Sequence, residues 1–529
     1  MNQGVFRGGG GELAPEELRR LQRRAWWGYL ALVIGNFMAI LDIQIVASSI
    51  NEIQAGLSAS TDEIQWLQSS YLIAEVIGIP LSAYLSRLLS TRVYFVTCSV
   101  GFAAASVGCA LSWSLGSMVI FRVLQGFLGG GMIPTTFATL YILFPEERRV
   151  VPRVLSGMMA MSASALGPTI GGFITGLVSW HWLFLLNLLP GLGCAYAVWL
   201  LIDIDKPQPE MLKLTDFWGL AFMALFLGSM EYTLDAGPRK DWMDDDAVAT
   251  TAVLAVIGGT LFFHRVLSTA HPIVDLRAFH NRNFAIGSSI SMLLGMITYT
   301  LVYLTPLFLG QVRGFSPLQI GQVMLSQGAA MFLSAPLAGR LIRIMGPRSM
   351  MALGLTLVII GTLLNTRLTA DWGIWEFFVP QVLRGCGFVI CYVPTNDVAL
   401  GTMPAHEVKN ASGLYAVTRN IGGAIGLALL TTLINLHNWN HWQALAQNLR
   451  LSRAPVRDAL SSMQHALTPE LGSHSGAAAV SWLAQITAQQ AAVLTYADMF
   501  RMLAYLAMGA LLLVSLVAKP QRHIEDAVP

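Results

Sequence analysis

Charged residues are scarce in this chain of 529 residues: Asp, Glu, Lys and Arg together account for 12% of it, whereas hydrophobic residues account for 54%. A soluble protein of this size carries roughly 25% charged residues. The net charge of +2 at pH 7 gives no indication of a nucleic-acid partner, and none is expected. We therefore expect lipid to surround most of the chain.

Cysteine is scarce as well, and its five copies lie in apolar segments without the CxxC spacing of zinc or redox motifs. The sequence has no GxxxxGK[ST] motif for direct use of ATP and no HExxH motif. All ten histidines fall in loops or at the edges of apolar segments. We therefore predict no cofactor, no metal site and no enzyme activity. A membrane-embedded enzyme or a non-transporting receptor is a remote alternative.

Long apolar runs, in contrast, recur along the whole sequence. A helix of about 20 apolar residues crosses the ~30 Å hydrocarbon core of a bilayer. The sequence predicts fourteen such spans, and hence an all-α polytopic membrane protein. The predicted spans are 26–50, 63–86, 93–115, 117–143, 154–178, 182–202, 216–235, 247–266, 284–309, 317–341, 349–368, 374–399, 412–436 and 497–518.

The distribution of Lys and Arg predicts how these spans are oriented. Most of the 32 basic residues fall in connections on the side of the N-terminus, and such basic connections stay in the cytoplasm. Both termini are therefore predicted to be cytoplasmic, in a multi-pass protein of the inner (plasma) membrane. Residues 1–25 lack an apolar core and are interpreted as a soluble tail, not as a cleaved signal peptide.

The sequence also contains a weak internal repeat, in which three matches occur in order at nearly one offset. This pattern predicts two parallel six-helix halves with two helices inserted between them, as in the major facilitator architecture. The matching segments are PLSAYLSRLLSTR at 80–92 with PLAGRLIRIMGPR at 336–348, RVLQG at 122–126 with QVLRG at 381–385, and SGMMA at 156–160 with SGLYA at 412–416.

The repeat gives a predicted domain organisation. The segments are a cytoplasmic tail (1–25), the N-terminal half (26–203), the inserted helices with flanking loops (204–283), the C-terminal half (284–518) with a long outer loop (437–496), and a second cytoplasmic tail (519–529).

Two opposite charges are predicted to lie at similar depth in the membrane. With a rise of ~1.5 Å per helical residue, both Asp42 in the first span and Arg122 in the fourth fall in the outer half. Ionisable residues inside a membrane are functional candidates by default. We predict that Asp42 takes part in proton coupling and that Arg122 controls its protonation; the alternative is a static pair that holds helices together.

Glu75, deep in the second span, is a second candidate for the proton-carrying group or for contact with a cationic substrate. Its alternative role is that of a neutral side chain hydrogen-bonded to a neighbouring helix. Further residues are candidates for lining a substrate cavity. They are Gln44, Tyr71, Tyr303, Arg384, Arg419 and Asn420.

Small residues form helix-packing motifs in two spans. Gly126 and Gly130 make a GxxxG pattern on the face of Arg122, and small residues at this spacing let helices approach closely. In the fifth span, Pro168 removes one backbone donor and loosens the helix. These features fit helices that move in a transport cycle as well as a static bundle. The predicted motif residues are Gln125, Gly126, Gly130, Gly167, Pro168, Gly171 and Gly172.

Several motifs resemble those of the fourteen-span drug:proton antiporters of the major facilitator superfamily, the EmrB/QacA type. FRVLQGFLGGGMIP at 121–134 resembles the superfamily's motif in the fourth span, ALGPTIGG at 165–172 its antiporter motif, and WHWLFLLNLLPG at 180–191 a mark of the subgroup. One departure concerns SAYLSRLLSTR at 82–92. It keeps two arginines but lacks the acid that many members have, so no charge latch based on that acid is expected.

The resemblance implies export of amphipathic drugs or toxic compounds, driven by a proton gradient. Small amphipathic substrates, protons and the lipid bilayer are thus the expected partners; export of a specific lipid, fatty acid or metabolite is the alternative. It also implies a periplasmic adaptor and an outer-membrane channel, which the long loop at 437–496 would contact. A solvated helical hairpin that caps the exit is the other interpretation of that loop.

Overall fold

The computed structural model describes residues 15–60, 63–145, 148–269, 272–404 and 406–517. The predicted tail at 519–529 and most of the one at 1–25 lie outside these residues. The described residues form α-helices, short 3-10 helices and turns, and none of them lies in a β-strand. The α-helices are α1 (Pro15–Ser48), α2 (Ile50–Leu57), α3 (Trp66–Leu88), α4 (Thr91–Ala110), α5 (Leu115–Leu143), α6 (Val150–Leu177), α7 (His181–Leu185), α8 (Leu188–Leu201), α9 (Phe217–Ala236), α10 (Asp246–Ser268), α11 (Arg282–Gln311), α12 (Pro317–Leu364), α13 (Ile374–Leu400), α14 (Val408–Ala446), α15 (Ala454–Leu471) and α16 (Ser475–Val514).

The predicted all-α membrane fold is confirmed. Within the described residues, twelve helical stretches are long and apolar enough to cross a membrane. The 28 residues of α6 and the part of α12 that precedes Gly346 are of membrane length too. The fourteen predicted spans are therefore compatible with the structure, and the spans at 216–235 and 247–266 correspond to α9 and α10.

The two halves of the repeat share a backbone turn. α12 contains two predicted spans, separated at Gly346, where φ is 74° and ψ is 165°. The aligned residue of the first half, Ser90, stands between α3 and α4 with φ 75° and ψ 152°. This region of backbone space is favourable only for glycine. The same chain reversal thus connects the second and third spans of each half.

Two buried apolar clusters form the cores of the halves, one built mainly from α1, α3, α4, α5 and α8, the other from α11, α12, α13 and α16. Val154 of α6 belongs to the second cluster, and Leu414 of α14 belongs to the first. Correspondingly, α6 packs against both α1 and α12, and α14 against both α11 and α3. Each half therefore contributes one helix that packs into the other half, as two parallel repeats require.

The inserted helices α9 and α10 pack on each other and reach the bundle through α3 and α14. Phe226 stacks on Phe262 between them, with ring centroids 6.3 Å apart. At one end of the pair, Arg265 Nε lies 3.0 Å from Asp216 Oδ1. The insertion is thus a helical hairpin on the periphery of the first half.

The segment at 437–496 is helical where the sequence predicted a long polar loop with a helical hairpin as one alternative. α14 continues to Ala446, and α15 packs against the first part of α16. No residue of α15 is buried. Helix formation costs little free energy in this segment, because it is rich in Ala and Gln, which are good helix formers.

Candidate functional site

A fully buried ion pair lies at the centre of the N-terminal half. Arg122 Nη1 of α5 lies 2.6 Å from Asp42 Oδ2 of α1, and neither side chain is exposed. The structure therefore brings together the two residues whose predicted depths matched. Removing one partner of such a pair leaves an uncompensated buried charge, which costs about 3–5 kcal/mol.

Neutral side chains complete the hydrogen bonding of this pair. Gln125 Nε2 donates to Asp42 Oδ1 at 3.0 Å, and Asn187 Nδ2 donates to the same oxygen at 2.6 Å. Gln125 also donates to Ser106 Oγ at 2.8 Å. Asp42 thus accepts bonds from three side chains of the same half, two on α5 and one in the connection between α7 and α8. Charge-assisted bonds of this kind are roughly twice as strong as neutral ones.

Arg122 has further partners on α3. Its Nε donates to the backbone oxygen of Leu67 at 3.1 Å, and its guanidinium carbon lies 4.2 Å from the ring centroid of Tyr71. Nη2 of Arg122 is buried without a hydrogen-bond partner. The ion pair is therefore held from one side by α3 and keeps one free donor.

Close contact between α3 and α5 depends on glycine. A Cβ atom at Gly126 would overlap the backbone carbonyl of Tyr71, and one at Gly130 would lie 2.6 Å from the backbone oxygen of Glu75. Small residues allow such approaches between membrane helices. The GxxxG face of α5 therefore places Arg122 directly beside α3.

The second predicted motif lies on α6, between the two halves. Gly167 contacts Gln44 of α1 so closely that a Cβ atom would overlap the Gln44 side chain. On the other side, Gly321 of α12 approaches Thr169. Pro168 lies inside the helix, and Gly171 and Gly172 accept a bond from the Thr175 hydroxyl one turn later. Gln44 is thus an α1–α6 packing residue.

Glu75 lies on α3 between the ion pair and the second half. Its side chain is buried, and its Oε1 has no hydrogen-bond partner. Its charged neighbours are Arg419 of α14 and the Asp42–Arg122 pair. Arg419 is buried as well, and its Nε is also without a partner. The two unsatisfied groups belong to opposite halves.

Tyrosine and asparagine side chains surround this region. Tyr299 of α11 donates to Asn420 Oδ1 at 3.3 Å, and the Tyr299 hydroxyl lies within electrostatic reach of both Arg419 and Glu75. The structure thus brings four of the predicted candidates close to one another where the two halves meet. They are Glu75, Tyr71, Arg419 and Asn420.

Two other candidates lie elsewhere. Tyr303 is 43% exposed and lies near Asp235 and Arg239 at the end of α9. Arg384 is fully buried in the core of the C-terminal half, where its Nη2 donates to Gln381 Oε1 at 2.7 Å and its guanidinium lies over the ring of Phe500. The repeat aligns Arg122 with Gln381 and Gln125 with Arg384. The second half therefore has the same Arg–Gln pair, with the two residues in the opposite order.

Contacts between the halves are found on the predicted cytoplasmic side. Arg153 Nη2 of α6 lies 2.5 Å from Asp397 Oδ1 of α13, and Lys409 Nζ of α14 lies 2.5 Å from Asp205 Oδ2. Asp205 also accepts a bond from the backbone nitrogen of Thr91 at 2.9 Å, at the start of α4. These two pairs connect the halves without the acid that is missing from the loop at 82–92.

Sequence reasoning missed Asn187 and Ser106 in the central network, and Asp205 and Lys409 in the cytoplasmic contact. Asn187 carried a usable signal, because it is the only polar residue in the run FLLNLLPG. Asp205 and Lys409 gave none, because charged residues in connections are ordinary on a membrane protein's surface.

A two-fold bundle of membrane-length helices, with charged residues buried at its centre and closed on one side by salt bridges, defines a membrane transporter. Comparisons with known proteins show to which family of transporters the chain belongs. Residues 32–427 match the profile of the Major Facilitator Superfamily. The chain belongs to this superfamily, and within it to the EmrB-type transporters.

The relatives include several resistance proteins. The colistin resistance protein EmrB of Acinetobacter baumannii is 42% identical over 488 residues, which cover 92% of this chain and 95% of the relative. The fatty acid resistance protein FarB of Neisseria gonorrhoeae is 28% identical, with coverage of 83% and 86%. The multidrug export protein EmrB of Escherichia coli K12 is 26% identical, with coverage of 89% and 91%.

Solved structures agree in fold. The proton:xylose symporter XylE, bound to 6-bromo-6-deoxy-D-glucose, has a TM-score of 0.58 at 13% identity, with coverage of 92% of this chain and 95% of that one. The human organic anion transporter MFSD10 has a TM-score of 0.55 at 14% identity, with coverage of 94% and 100%. At these identities the likeness concerns the fold alone. The family match and the resistance relatives together identify the chain as a major facilitator efflux transporter, not an enzyme.

Proposed function

We propose that this protein exports amphipathic drugs or toxic compounds across the inner membrane in exchange for protons, with both termini in the cytoplasm. The observation that carries the proposal is the unsatisfied Glu75 carboxylate between the Asp42–Arg122 pair and Arg419. The names of three relatives, which concern colistin resistance, fatty acid resistance and multidrug export, support the export of such compounds.

In this mechanism Glu75 carries the proton in the described conformation. A buried carboxylate without a partner is costly when charged, whereas Asp42 is already compensated by Arg122, Gln125 and Asn187. Release of the proton from Glu75 creates a charge that attracts the free donors of Arg122 and Arg419. Because Arg419 belongs to the second half, proton release favours a rearrangement of one half relative to the other.

Substrate binding uses the same cross-half region. Aromatic side chains of Tyr71 and Tyr299 offer apolar surface with a polar tip, and such residues suit ligands that are themselves amphipathic. A cationic substrate competes with the proton for Glu75, which links export to proton uptake. The exchange needs no bound cofactor, since the proton gradient supplies the driving force.

A second candidate function, export of a fatty acid or another lipid anion, is favoured by Arg419. Its side chain is 5% exposed, and its Nε is available for a carboxylate. Arginine binds carboxylates well because its planar donors match their geometry. Resistance to a long-chain fatty acid that depends on Arg419 but not on Glu75 would favour this function.

The helical hairpin of α15 and the first part of α16 is our proposed contact for a periplasmic adaptor, which continues the path to an outer-membrane channel. Val480 and Trp482 of α16 are exposed, as are Leu451 and Leu471 at the two ends of α15. Exposed apolar side chains on an otherwise polar hairpin fit a protein contact. Resistance that is unchanged after deletion of 450–474 would count against an adaptor at this place.

Dye export from an efflux-deficient strain tests the transport proposal. We expect Asp42→Asn and Arg122→Ala to lower the initial export rate by roughly tenfold or more, because a lost bond to a charged group, about 1.5–3 kcal/mol, corresponds to such a factor. Glu75→Gln should lower it as strongly for a different reason, since an amide cannot bind and release the proton. The matched control is Asp216→Asn, which removes a different acid–arginine pair, located between α9 and α10.

Membrane levels of each variant are measured beside the rates. Equal export by all three site variants and the wild type would refute the coupling role. A loss in Asp216→Asn as large as theirs would show that the effect comes from general destabilisation. A collapsed proton gradient should abolish export by the wild type.

A further inference from the structure

Two histidines and an aspartate converge where α14 and α16 leave the predicted membrane region. Because α14 continues to Ala446, His437 and His441 lie one helical turn apart on the same helix face. Asp498 of α16 faces them. Its Oδ2 lies 2.8 Å from His441 Nε2 and 3.4 Å from His437 Nδ1.

The three ligand atoms, one from each side chain, all lie within 4.8 Å of one another. A metal ion bound at about 2.0–2.2 Å to two imidazole nitrogens and one carboxylate oxygen requires separations of this order. Both ring nitrogens already point at the same carboxylate oxygen. Small side-chain rotations are therefore enough to place one ion among the three atoms.

Arg501 holds the carboxylate in this orientation. Its Nη1 lies 2.8 Å from Asp498 Oδ1, one turn further along α16. The other oxygen, Oδ2, is thereby directed at the histidines. Groups that orient a ligand in this way are characteristic of metal sites, where they fix the geometry around the ion.

The site is open to water. The side chains of His437, His441 and Asp498 are 32%, 29% and 23% exposed. An ion can therefore enter from the aqueous phase on the predicted outer side. Three protein ligands leave a further coordination position for a water molecule.

We propose that His437, His441 and Asp498 form a binding site for a divalent transition-metal ion of the Zn²⁺ class. Two imidazoles and one carboxylate suit Zn²⁺ and its neighbours in the series, whereas Mg²⁺ and Ca²⁺ select oxygen ligands. The ion cross-links the outer ends of α14 and α16, at the base of the α15–α16 hairpin. This site does not depend on the proposed transport function.

Metal binding by the purified full-length protein tests the site. The protein carries an affinity tag without histidine, is stripped with a chelator, loaded with Zn²⁺ and desalted, and its zinc is measured by mass spectrometry. We expect one equivalent of tightly held Zn²⁺ and an increase in melting temperature on loading. With Co²⁺ instead, visible absorption bands of a low-coordinate ion should appear.

His441→Asn and Asp498→Asn should lose the zinc, the absorption bands and the thermal shift. Both replacements keep hydrogen-bonding groups of similar size, so the metal-free melting temperature and the elution profile establish that these variants are folded. The matched controls are His465→Asn and His474→Asn, which lie on the same hairpin outside the cluster and should bind as the wild type does. No zinc in the wild type, or the same loss in the control variants, would overturn the proposal.

Discussion

Inside a membrane helix bundle, donors from the same half surround the Asp42 carboxylate. Arg122 supplies the opposite charge at 2.6 Å, and Gln125 and Asn187 bond to the second carboxylate oxygen. Arg122 and Gln125 lie on α5, whereas Asn187 lies between α7 and α8, so the carboxylate also connects α1 with these two parts of the chain. A buried polar network of this kind favours one arrangement of the helices that carry it.

Asn187→Ala tests this network at a residue that touches neither Glu75 nor the second half. Removing a bond to a buried charged group costs about 1.5–3 kcal/mol. We expect a melting temperature lower by several degrees and reduced dye export. Asn448→Ala, at an exposed helix end, is the control and should change neither quantity. A variant at 187 with wild-type stability and export would show that Arg122 and Gln125 compensate Asp42 without Asn187.

The pairing of Asp42 with Arg122 could be predicted because helix rise converts sequence position into membrane depth. The contributions of Asn187 and Ser106 could not be predicted in the same way. Depth restricts where a residue lies along the membrane normal but not which neighbour its helix faces. That choice depends on how α4 packs against α5 and α8, for example at Gly191 against Ala103, and a single sequence does not identify these partners.

At the level of helices, the turn between the second and third spans adopts one backbone geometry in both halves with different residues. Gly346 adopts it without strain. Ser90 adopts it at φ 75° while its hydroxyl accepts a bond from the backbone nitrogen of Val93. A residue with a side chain in such a region carries about 1–3 kcal/mol of strain. Ser90 therefore combines a stabilising helix cap with an unfavourable backbone.

Ser90→Gly is expected to raise the melting temperature of the purified protein. Relief of the strain, about 1–3 kcal/mol, exceeds the few tenths of a kcal/mol that a Ser-to-Gly change costs at a helix N-cap. The control is Ser114→Gly, since Ser114 caps α5 at φ −151°, where no strain is relieved. This control should lower the melting temperature slightly. A decrease in both variants would mean that the turn at Ser90 carries no strain.

Helices that cross the membrane were predictable from composition, but their extensions were not. α14 and α16 continue well beyond their predicted spans because Ala- and Gln-rich segments form helices in water too. The HNWNH spacing of His437 and His441 was visible in the sequence. Its partner, Asp498, lies on a different helix, so the convergence of the three side chains depends on how α14 and α16 pack.

For the whole molecule, the salt bridges that join the halves in the described residues lie on the predicted cytoplasmic side. Arg153–Asp397 and Lys409–Asp205 connect α6 with α13 and α14 with the segment after α8. Beside them, Gly413 of α14 lies close to Ile79 and Ala83 of α3. A transporter that alternates access must break these contacts to admit substrate from the cytoplasm.

Neutralising both acids should therefore shift the population towards forms that are open on this side. Partly exposed ion pairs contribute about 0.2–1 kcal/mol each, so Asp205→Asn with Asp397→Asn should change the equilibrium a few-fold. Ala416, which is 3% exposed between the halves, is replaced by cysteine in a cysteine-free background. We expect a membrane-impermeant maleimide to label this cysteine faster in inside-out vesicles of the double variant.

The control for this measurement is Asp203→Asn. It removes a pair with Arg92 on the same side of the membrane, 3.8 Å apart and within a single half. Its labelling rate should equal that of the parent, because breaking a contact inside one half favours neither open nor closed forms. Equal acceleration by this variant would attribute the effect to surface charge, and an unchanged rate in the double variant would show that apolar packing of α3 against α14 alone keeps the halves together.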